Sequence, residues 1–223
     1  MTGPRPVLAL LHTSPVHVPV FDALRDAHHP GLALRHSVHA SLLDRARAEG
    51  PEAVAGAVGA AVRAAVGDGA RAVLCTCSTL GAVAERVAAG VPVLRVDRPM
   101  AAAAAAMGRR IVVAAALPST VEPTAELVRE EAGRRTPRIS ALLVDGAWAL
   151  FEAGDRDGYL DAVASAVDGV RDADAIVLAQ ASMADATART RTAVPVLSSP
   201  RPGLAAAAAA AGADRNPGRH PGE

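Results

Sequence analysis

The chain carries two thiols, and they lie one residue apart in Arg71-Ala-Val-Leu-Cys-Thr-Cys-Ser-Thr-Leu-Gly81. The apolar run Ala72 to Leu74 reads as a buried parallel strand. It stops at Cys75-Thr-Cys-Ser-Thr79, and Ala82, Val83 and Val87 then begin a helical pattern. A thiol and small hydroxyls therefore sit where a strand hands over to a helix. In an open α/β sheet that is the carboxyl end of a strand, where ligands bind. Free N–H groups at a helix start favour an anion. The thiol can be deprotonated, and the hydroxyls of Ser78 and Thr79 can hold a carboxylate. The same residues equally suit a buried Cys pair with Ser and Thr capping a helix. No third cysteine exists, and no His pair lies nearby at ligand spacing. A structural disulfide and a zinc site are therefore not expected.

The elements that must position this stretch read as alternating strands and helices. Pro6 to Leu11 is a buried-type strand ending in His12-Thr-Ser-Pro15, with Ser14 among small polar groups. Val18 to Ala27 is helical, Leu32 to Val38 a strand ending in His39-Ala-Ser41, and Glu52 to Val66 a helix. The central strand follows, then its helix to Ala89, then a strand from Pro92 to Val96. The pattern restarts after Asp97-Arg-Pro99. Met100 to Met107 is a helix and Arg110 to Ala116 a strand, ending in Leu117-Pro-Ser-Thr120. A helix opens at Glu122-Pro-Thr124, with Pro well placed near its start. Ile139 to Val144 is a strand, Tyr159 to Val170 a helix, and Ala175 to Leu178 a strong strand. The last leads through Ala179-Gln-Ala-Ser182 into another helix. Val194 to Leu197 is a last strand, and Pro202 to Gly212 an Ala-rich helix.

Such alternation predicts an α/β protein of two pseudo-symmetric, doubly wound lobes with parallel sheets and a cleft between them. The first lobe is expected over residues 1–98, completed by the C-terminal helix at about 199–212. The second spans 99–198, and a polar tail from about 213 frays. Ala179 to Ser182 in the second lobe falls where the first has Cys77 to Leu80, so two strand ends face each other as opposed walls.

Composition narrows the function classes. Acids and bases balance at 23 each, and every base is Arg, so no basic face argues for nucleic acid. Aromatics are 2% of the chain, so the core must be built from Ala, Val and Leu. The Ala runs at 101–106 and 205–211 are too short to span a bilayer, and no leader pattern is visible. A soluble cytoplasmic protein is expected.

The motifs, taken in order, resemble those of the aspartate/glutamate/hydantoin racemase superfamily over about residues 6–212. Leu74-Cys-Thr-Cys-Ser-Thr-Leu-Gly81 is similar to the family's first motif, a strand followed by Cys-Asn-Thr. Cys77 falls on the first catalytic cysteine, Ser78 on the Asn and Thr79 on the Thr. Ser119-Thr-Val-Glu-Pro-Thr124 resembles a mid-chain Thr-rich loop that helps bind the substrate carboxylate. Leu178-Ala-Gln-Ala-Ser182 falls on the second motif, usually Leu-Gly-Cys-Thr, and His12-Thr-Ser-Pro15 on a loop that lines the pocket.

The resemblance implies a cofactor-independent isomerase acting beside the carboxylate of a small acid, with Cys77 as thiol base or nucleophile. Racemases of the family use two opposed thiols, one to take the α-proton and one to return a proton from the other face. This chain has Gln180 where the second would be, and an amide cannot exchange a proton near neutral pH. True two-base racemisation is therefore doubtful. A single-thiol decarboxylase or lyase of the same superfamily, or a non-catalytic carboxylate-binding protein, stands as the alternative. Cys75, one β-period earlier, is expected in the core.

The resemblance implies substrate contacts at Ser14, Ser78, Thr79, Ser119, Thr120, Gln180, Ala181 and Ser182. Thr120, Thr124 and Ser182 equally suit helix caps. His39 and Asp185 are the remaining candidates for a second acid or base. No cofactor or metal is implied. The partner is a small-molecule carboxylate, with neither nucleic acid nor membrane, and a homo-oligomer is left open.

Overall fold

A computed structural model describes residues 5–213. The expected tail beyond these, 214–223, lies outside the described residues. The structure is α/β, with two four-stranded parallel sheets of identical order. The first runs β2(Ala33–Val38)-β1(Val7–His12)-β3(Ala72–Cys75)-β4(Val93–Arg95). The second runs β6(Arg138–Leu143)-β5(Arg110–Ala115)-β7(Ala175–Leu178)-β8(Val196–Leu197).

Alternation along the strands sends side chains to two faces, each covered by helices. In the first sheet Ala9, Leu11, Val73 and Cys75 pack under α3(Ala55–Gly67), with Leu42 and Ala46 of α2(Ala40–Glu49). Leu8, Leu10, Ala72 and Leu74 face the other way. They meet Phe21 of α1(His17–His28) and Leu204, Ala207, Ala208 and Ala211 of the C-terminal helix α9(Pro200–Ala211). The C-terminal helix thus packs on the first sheet. In the second sheet Val112, Ala114, Ile176 and Leu178 meet α7(Ala147–Glu152) and α8(Arg156–Asp168). Ile111, Val113, Ala175 and Val177 meet α5(Arg98–Met107) and α6(Val121–Ala132). Small Ala side chains on α5 and α9 let these helices lie close to the sheets.

Three local readings change in the structure. The helix after the central strand, α4(Ser78–Glu85), begins at once after Cys77 rather than at Ala82. Its first residues are buried between the lobes, so tertiary contacts extend the helix back through Ser78 and Thr79. The stretch after Gln180 is a 3₁₀ helix, Ala181–Ala188, not an α-helix. Two helices, α2 and α7, were not expected at all. Each is short and presents few buried apolar positions, Leu42 and Ala46 in one and Ala147 in the other, so neither carries a clear period.

A buried ion pair closes the first lobe. Arg95 Nε donates to Asp97 Oδ1 at 2.7 Å, and its second nitrogen donates to Oδ2 at 2.8 Å. Burial alone would lower the Arg95 pKa, but the hydrogen bonds and charge of Asp97 raise it. Gly203 of α9 backs onto the same segment, and a Cβ there would run into the Val96 carbonyl oxygen. Gly203→Ala is expected to destabilise the fold by about 1–3 kcal/mol, because backbone rather than a flexible side chain must give way. A urea-denaturation midpoint checks this; an unchanged midpoint would contradict it.

Candidate active site

The carboxyl ends of β1, β3, β5 and β7 open onto one cleft of about 230 Å³ between the lobes. Within each sheet the parallel strands all end on one side, and the lobes bring these two sets of ends to the same cleft. Thr13, Ser14 and His17 follow β1. Thr76, Cys77, Ser78 and Thr79 follow β3, Leu117 and Thr120 follow β5, and Gln180, Ala181 and Ser182 follow β7.

Cys77 stands at the N-cap of α4 with extended backbone (φ −103°, ψ 118°) and is half-buried. The free N–H groups at the start of α4 stand beside it. Cys75 is wholly buried, with its Sγ 3.7 Å from the Cys77 carbonyl oxygen. Burial first, and the neighbouring Cys77 second, push its thiol far above the ordinary range. The two thiols are therefore chemically distinct although one residue apart.

The hydroxyls divide in the same way. Ser78 Oγ donates to the Ala179 carbonyl at 2.8 Å, so its proton is spent on a bond between the lobes. Thr79 is buried in the cleft wall and makes no side-chain hydrogen bond among the described residues. Thr120 lines the cleft while its hydroxyl donates to the Leu117 carbonyl at 2.9 Å. Thr124 is buried one helical turn on and donates to the Thr120 carbonyl at 2.8 Å, away from the cleft. Ser119 departs from expectation: the 3₁₀ turn Pro118–Thr120 directs Thr120 inward and leaves Ser119 exposed, outside the cleft lining. Ser182 Oγ lies 2.8 Å from Tyr159 Oη.

Gln180 occupies the wall opposite Cys77. Its Oε1 accepts from the backbone N–H groups of Ala116 at 2.7 Å and Leu117 at 3.2 Å. The carbonyl oxygen is thereby committed to the end of β5, and its NH₂ group is left as a donor. His39 and Asp185 do not line the cleft. His39 faces a separate groove with Arg35, His36 and Ala61, and Asp185 pairs with Arg156 in a neighbouring pocket.

The helices that the sequence did not reveal bring further residues. Asp44 and Arg47 of α2 line the cleft from the first lobe, and Trp148 and Phe151 of α7 from the second. The Arg47 guanidinium lies 5.7 Å from the Trp148 ring centroid, a cation–π contact across the mouth. It has no carboxylate partner among the described residues. Trp148 and Phe151 stack at 4.7 Å and Phe151 meets Tyr159 at 5.3 Å. Three of the chain's four aromatic residues thus gather on one wall. His17 lines the cleft as well, and burial lowers its pKa to about 4. His12, behind it, is wholly buried, and burial first, then His36 and His17, lower its pKa to about 3. The signal that could have found His17 is its place five residues beyond the end of β1.

The profile of the family described as Asp/Glu/Hydantoin racemase matches residues 13–212. The chain belongs to this family. Among solved structures it resembles the Picrophilus torridus aspartate racemase at 16% identity and a TM-score of 0.71, over 92% of this chain and 94% of that one. A glycine-to-cysteine mutant of arylmalonate decarboxylase in a sulfate-associated form is 24% identical with a TM-score of 0.64, over 97% of both chains. Allantoin racemase from Klebsiella pneumoniae is 17% identical with a TM-score of 0.60, over 91% of this chain and 86% of that one. These likenesses establish the two-lobed fold. A comparison with curated protein sequences found no match. Among the described residues no helix is long and apolar enough to cross a membrane.

Two outcomes are expected of the isolated site. Iodoacetamide near neutral pH should modify Cys77 and leave Cys75 untouched in the folded protein, giving one adduct by peptide mass spectrometry. Modification of Cys75 at a comparable rate would contradict its burial. The second outcome concerns acid. His12 and His17 stay neutral in the fold to well below their ordinary value of 6.5. As pH falls from about 6.5 towards 3–4, the unfolded chain binds protons that the folded chain does not, so stability falls. His17→Gln should therefore flatten the loss of stability over that window, by at most about 1.4 kcal/mol per pH unit. Urea midpoints of both proteins against pH test this, and identical slopes would refute it.

Proposed function

We propose that the protein is a cofactor-free enzyme acting at the carbon beside the carboxylate of a small acid, an isomerase-type reaction with Cys77 as thiol base or nucleophile. The observation that carries the reading is the single half-buried thiol at a helix N-cap, facing Gln180 across the cleft. The N–H groups of α4 and the unpaired Thr79 hydroxyl offer donors for the carboxylate, with Ser14, Thr120 and Gln180 Nε2 around it. The Trp148 and Phe151 wall suits an apolar or aryl substituent on the same carbon. Cys77 as thiolate takes the α-proton, the electron pair passes into the carboxylate-stabilised carbanion, and Cys77 as thiol returns a proton to the same face, so with Gln180 opposite this step alone exchanges the α-proton with retention.

One observation favours a second reading, decarboxylation by the same thiol. Gln180 cannot supply a proton, and its oxygen is already held by two backbone N–H groups. A reaction needing protonation on one face alone fits this asymmetry. In it the bond from the α-carbon to one carboxylate breaks, carbon dioxide leaves, and the Cys77 thiol gives its proton to the carbanion.

Both readings are tested with 2-phenylpropionate, aspartate and phenylmalonate in heavy water, followed by chiral chromatography and mass spectrometry. The native protein is expected to exchange the α-proton or release carbon dioxide without fast inversion. Cys77→Ala should lower that rate by about a hundredfold or more. Gln180→Cys should introduce slow inversion of any acid that exchanges. It should also cost about 1–3 kcal/mol of stability, because the Ala116 and Leu117 N–H groups lose their acceptor. Fast inversion by the native protein would overturn the one-sided mechanism. Tight binding with no turnover would favour a binding protein.

A further inference from the structure

Behind the cleft runs a line of buried polar groups that the proposed chemistry does not use. Thr76 lines the cleft beside Cys77 and is almost wholly buried. Its Oγ1 lies 2.7 Å from Nδ1 of His12 and 3.2 Å from the Leu11 carbonyl oxygen. His12 Nε2 lies 2.8 Å from Nδ1 of His36, and the two ring planes are inclined by only 14°, so the rings meet edge to edge. His36 Nε2 is buried and lacks a hydrogen-bond partner, yet Oδ1 of Asp22 stands 3.4 Å away, off the line of the ring nitrogen. The Asp22 side chain is 41% exposed, so the line ends at solvent.

These contacts allow two hydrogen-bond polarities, and only two, for neutral rings. In the outward polarity Thr76 donates to His12 Nδ1, His12 Nε2–H donates to His36 Nδ1, and His36 Nε2–H points towards Asp22. In the inward polarity His36 Nδ1–H donates to His12 Nε2, His12 Nδ1–H donates to Thr76, and the Thr76 hydrogen turns to the Leu11 carbonyl or the cleft. The unpartnered His36 Nε2 is then a bare acceptor facing the solvent end.

The two polarities differ by one proton carried from one end to the other. We infer that Asp22, His36, His12 and Thr76 form a proton wire that returns protons from solvent to the Cys77 wall of the cleft. Starting inward, His36 Nε2 takes a proton at the Asp22 end. His36 then passes its Nδ1 proton to His12 Nε2, and His12 passes its Nδ1 proton to Thr76. Thr76 yields its own proton into the cleft that it lines together with Cys77. Each group gains one proton and loses one, and the line is left in the outward polarity.

Burial suits the relay, because it keeps His12 neutral and so able to accept at one nitrogen while donating at the other. The other charged or titratable groups around the line are Arg25, 3.3 Å from Asp22, and His17, whose ring centroid lies 6.2 Å from that of His12. Along β2, Arg35 and His39 flank the strand, with Asp68 in the same groove. The wire enters on the wall that Gln180 does not occupy. It therefore resupplies the Cys77 side of the cleft and does not create a second base on the opposite face.

The role in turnover rests on the proposed thiol chemistry, but the wire itself has a readout without substrate. Ring-¹⁵N-labelled histidine in the full chain reports tautomers by long-range proton–nitrogen spectra between about pH 5 and 8. A working wire visits both polarities, so His12 and His36 should show intermediate shifts that move together. Thr76→Val should collapse both to one limiting pattern. Rings held in one fixed tautomer in the native protein, or shifting independently, would overturn the proposal.

The kinetic arm uses phenylmalonate at low buffer concentration. Thr76→Val and His36→Gln should each lower kcat about tenfold with KM unchanged. Added imidazole should restore the rate by protonating the cleft directly, while the native rate stays insensitive to buffer. Unchanged kcat, or a loss that imidazole does not relieve, would count against the wire. No turnover of any probe acid by the native protein would instead sink the proposed reaction, leaving the tautomer spectra to decide the wire.

Discussion

One buried hydrogen bond joins the two strand ends on which the cleft depends. Ser78 Oγ donates to the Ala179 carbonyl at 2.8 Å, linking the start of α4 to the end of β7. Ala179 directly precedes Gln180, and Ser78 directly follows Cys77. The bond therefore sets the separation of the thiol wall from the amide wall. Low dielectric strengthens such a bond and makes its loss costly, since both groups would be left unpaired in the interior. Around it, Arg98 ties Glu85 of α4 to Glu130 and Glu131 of α6, adding a second link between the lobes. The buried Arg95–Asp97 pair stiffens the segment from which α5 leaves the first lobe.

On this frame the two walls have diverged. The fold repeats β–α units in the same strand order, so the ends of β3 and β7 are geometric counterparts. One carries a thiol at a helix start. The other carries an amide whose oxygen satisfies two N–H groups at the end of β5. A side-chain oxygen is thus held where an oxygen of a bound anion would find the same donors. The asymmetry is chemical rather than architectural.

The first lobe also carries an unusual density of buried imidazole. His12, His17 and His36 cluster behind and beside the cleft. Buried polar groups are costly unless they are partnered, and His12 is partnered at both ring nitrogens. His36 is partnered at one only. The incomplete pairing falls at the solvent end of the line, where a titratable group is least expensive to leave open.

Much of this was legible in the residues themselves. Strand and helix alternation, the Val and Leu runs, and the small polar residues at strand ends specify a parallel α/β chain. They also mark which ends carry chemistry, because parallel pairing puts all the strand ends of a sheet on one side. Cys77 and Thr79 could be named as cleft candidates on that ground, and Thr120 and Gln180 through the resemblance of their motifs. What the residues did not reveal was supplied by tertiary packing. The helices α2 and α7 have too few apolar positions to declare a period, so Arg47, Trp148 and Phe151 were not visible as cleft residues. A one-residue difference within a 3₁₀ turn decided that Thr120 faces inward and Ser119 does not. Whether Ser78 and Gln180 have hydrogen bonds to spare depends on Ala179, Ala116 and Leu117, partners 63 to 101 residues away. The His12–His36 line is the same kind of fact. Hydrogen bonds between residues distant in sequence leave no local pattern, and only the register of β1 against β2 and β3 brings those side chains together.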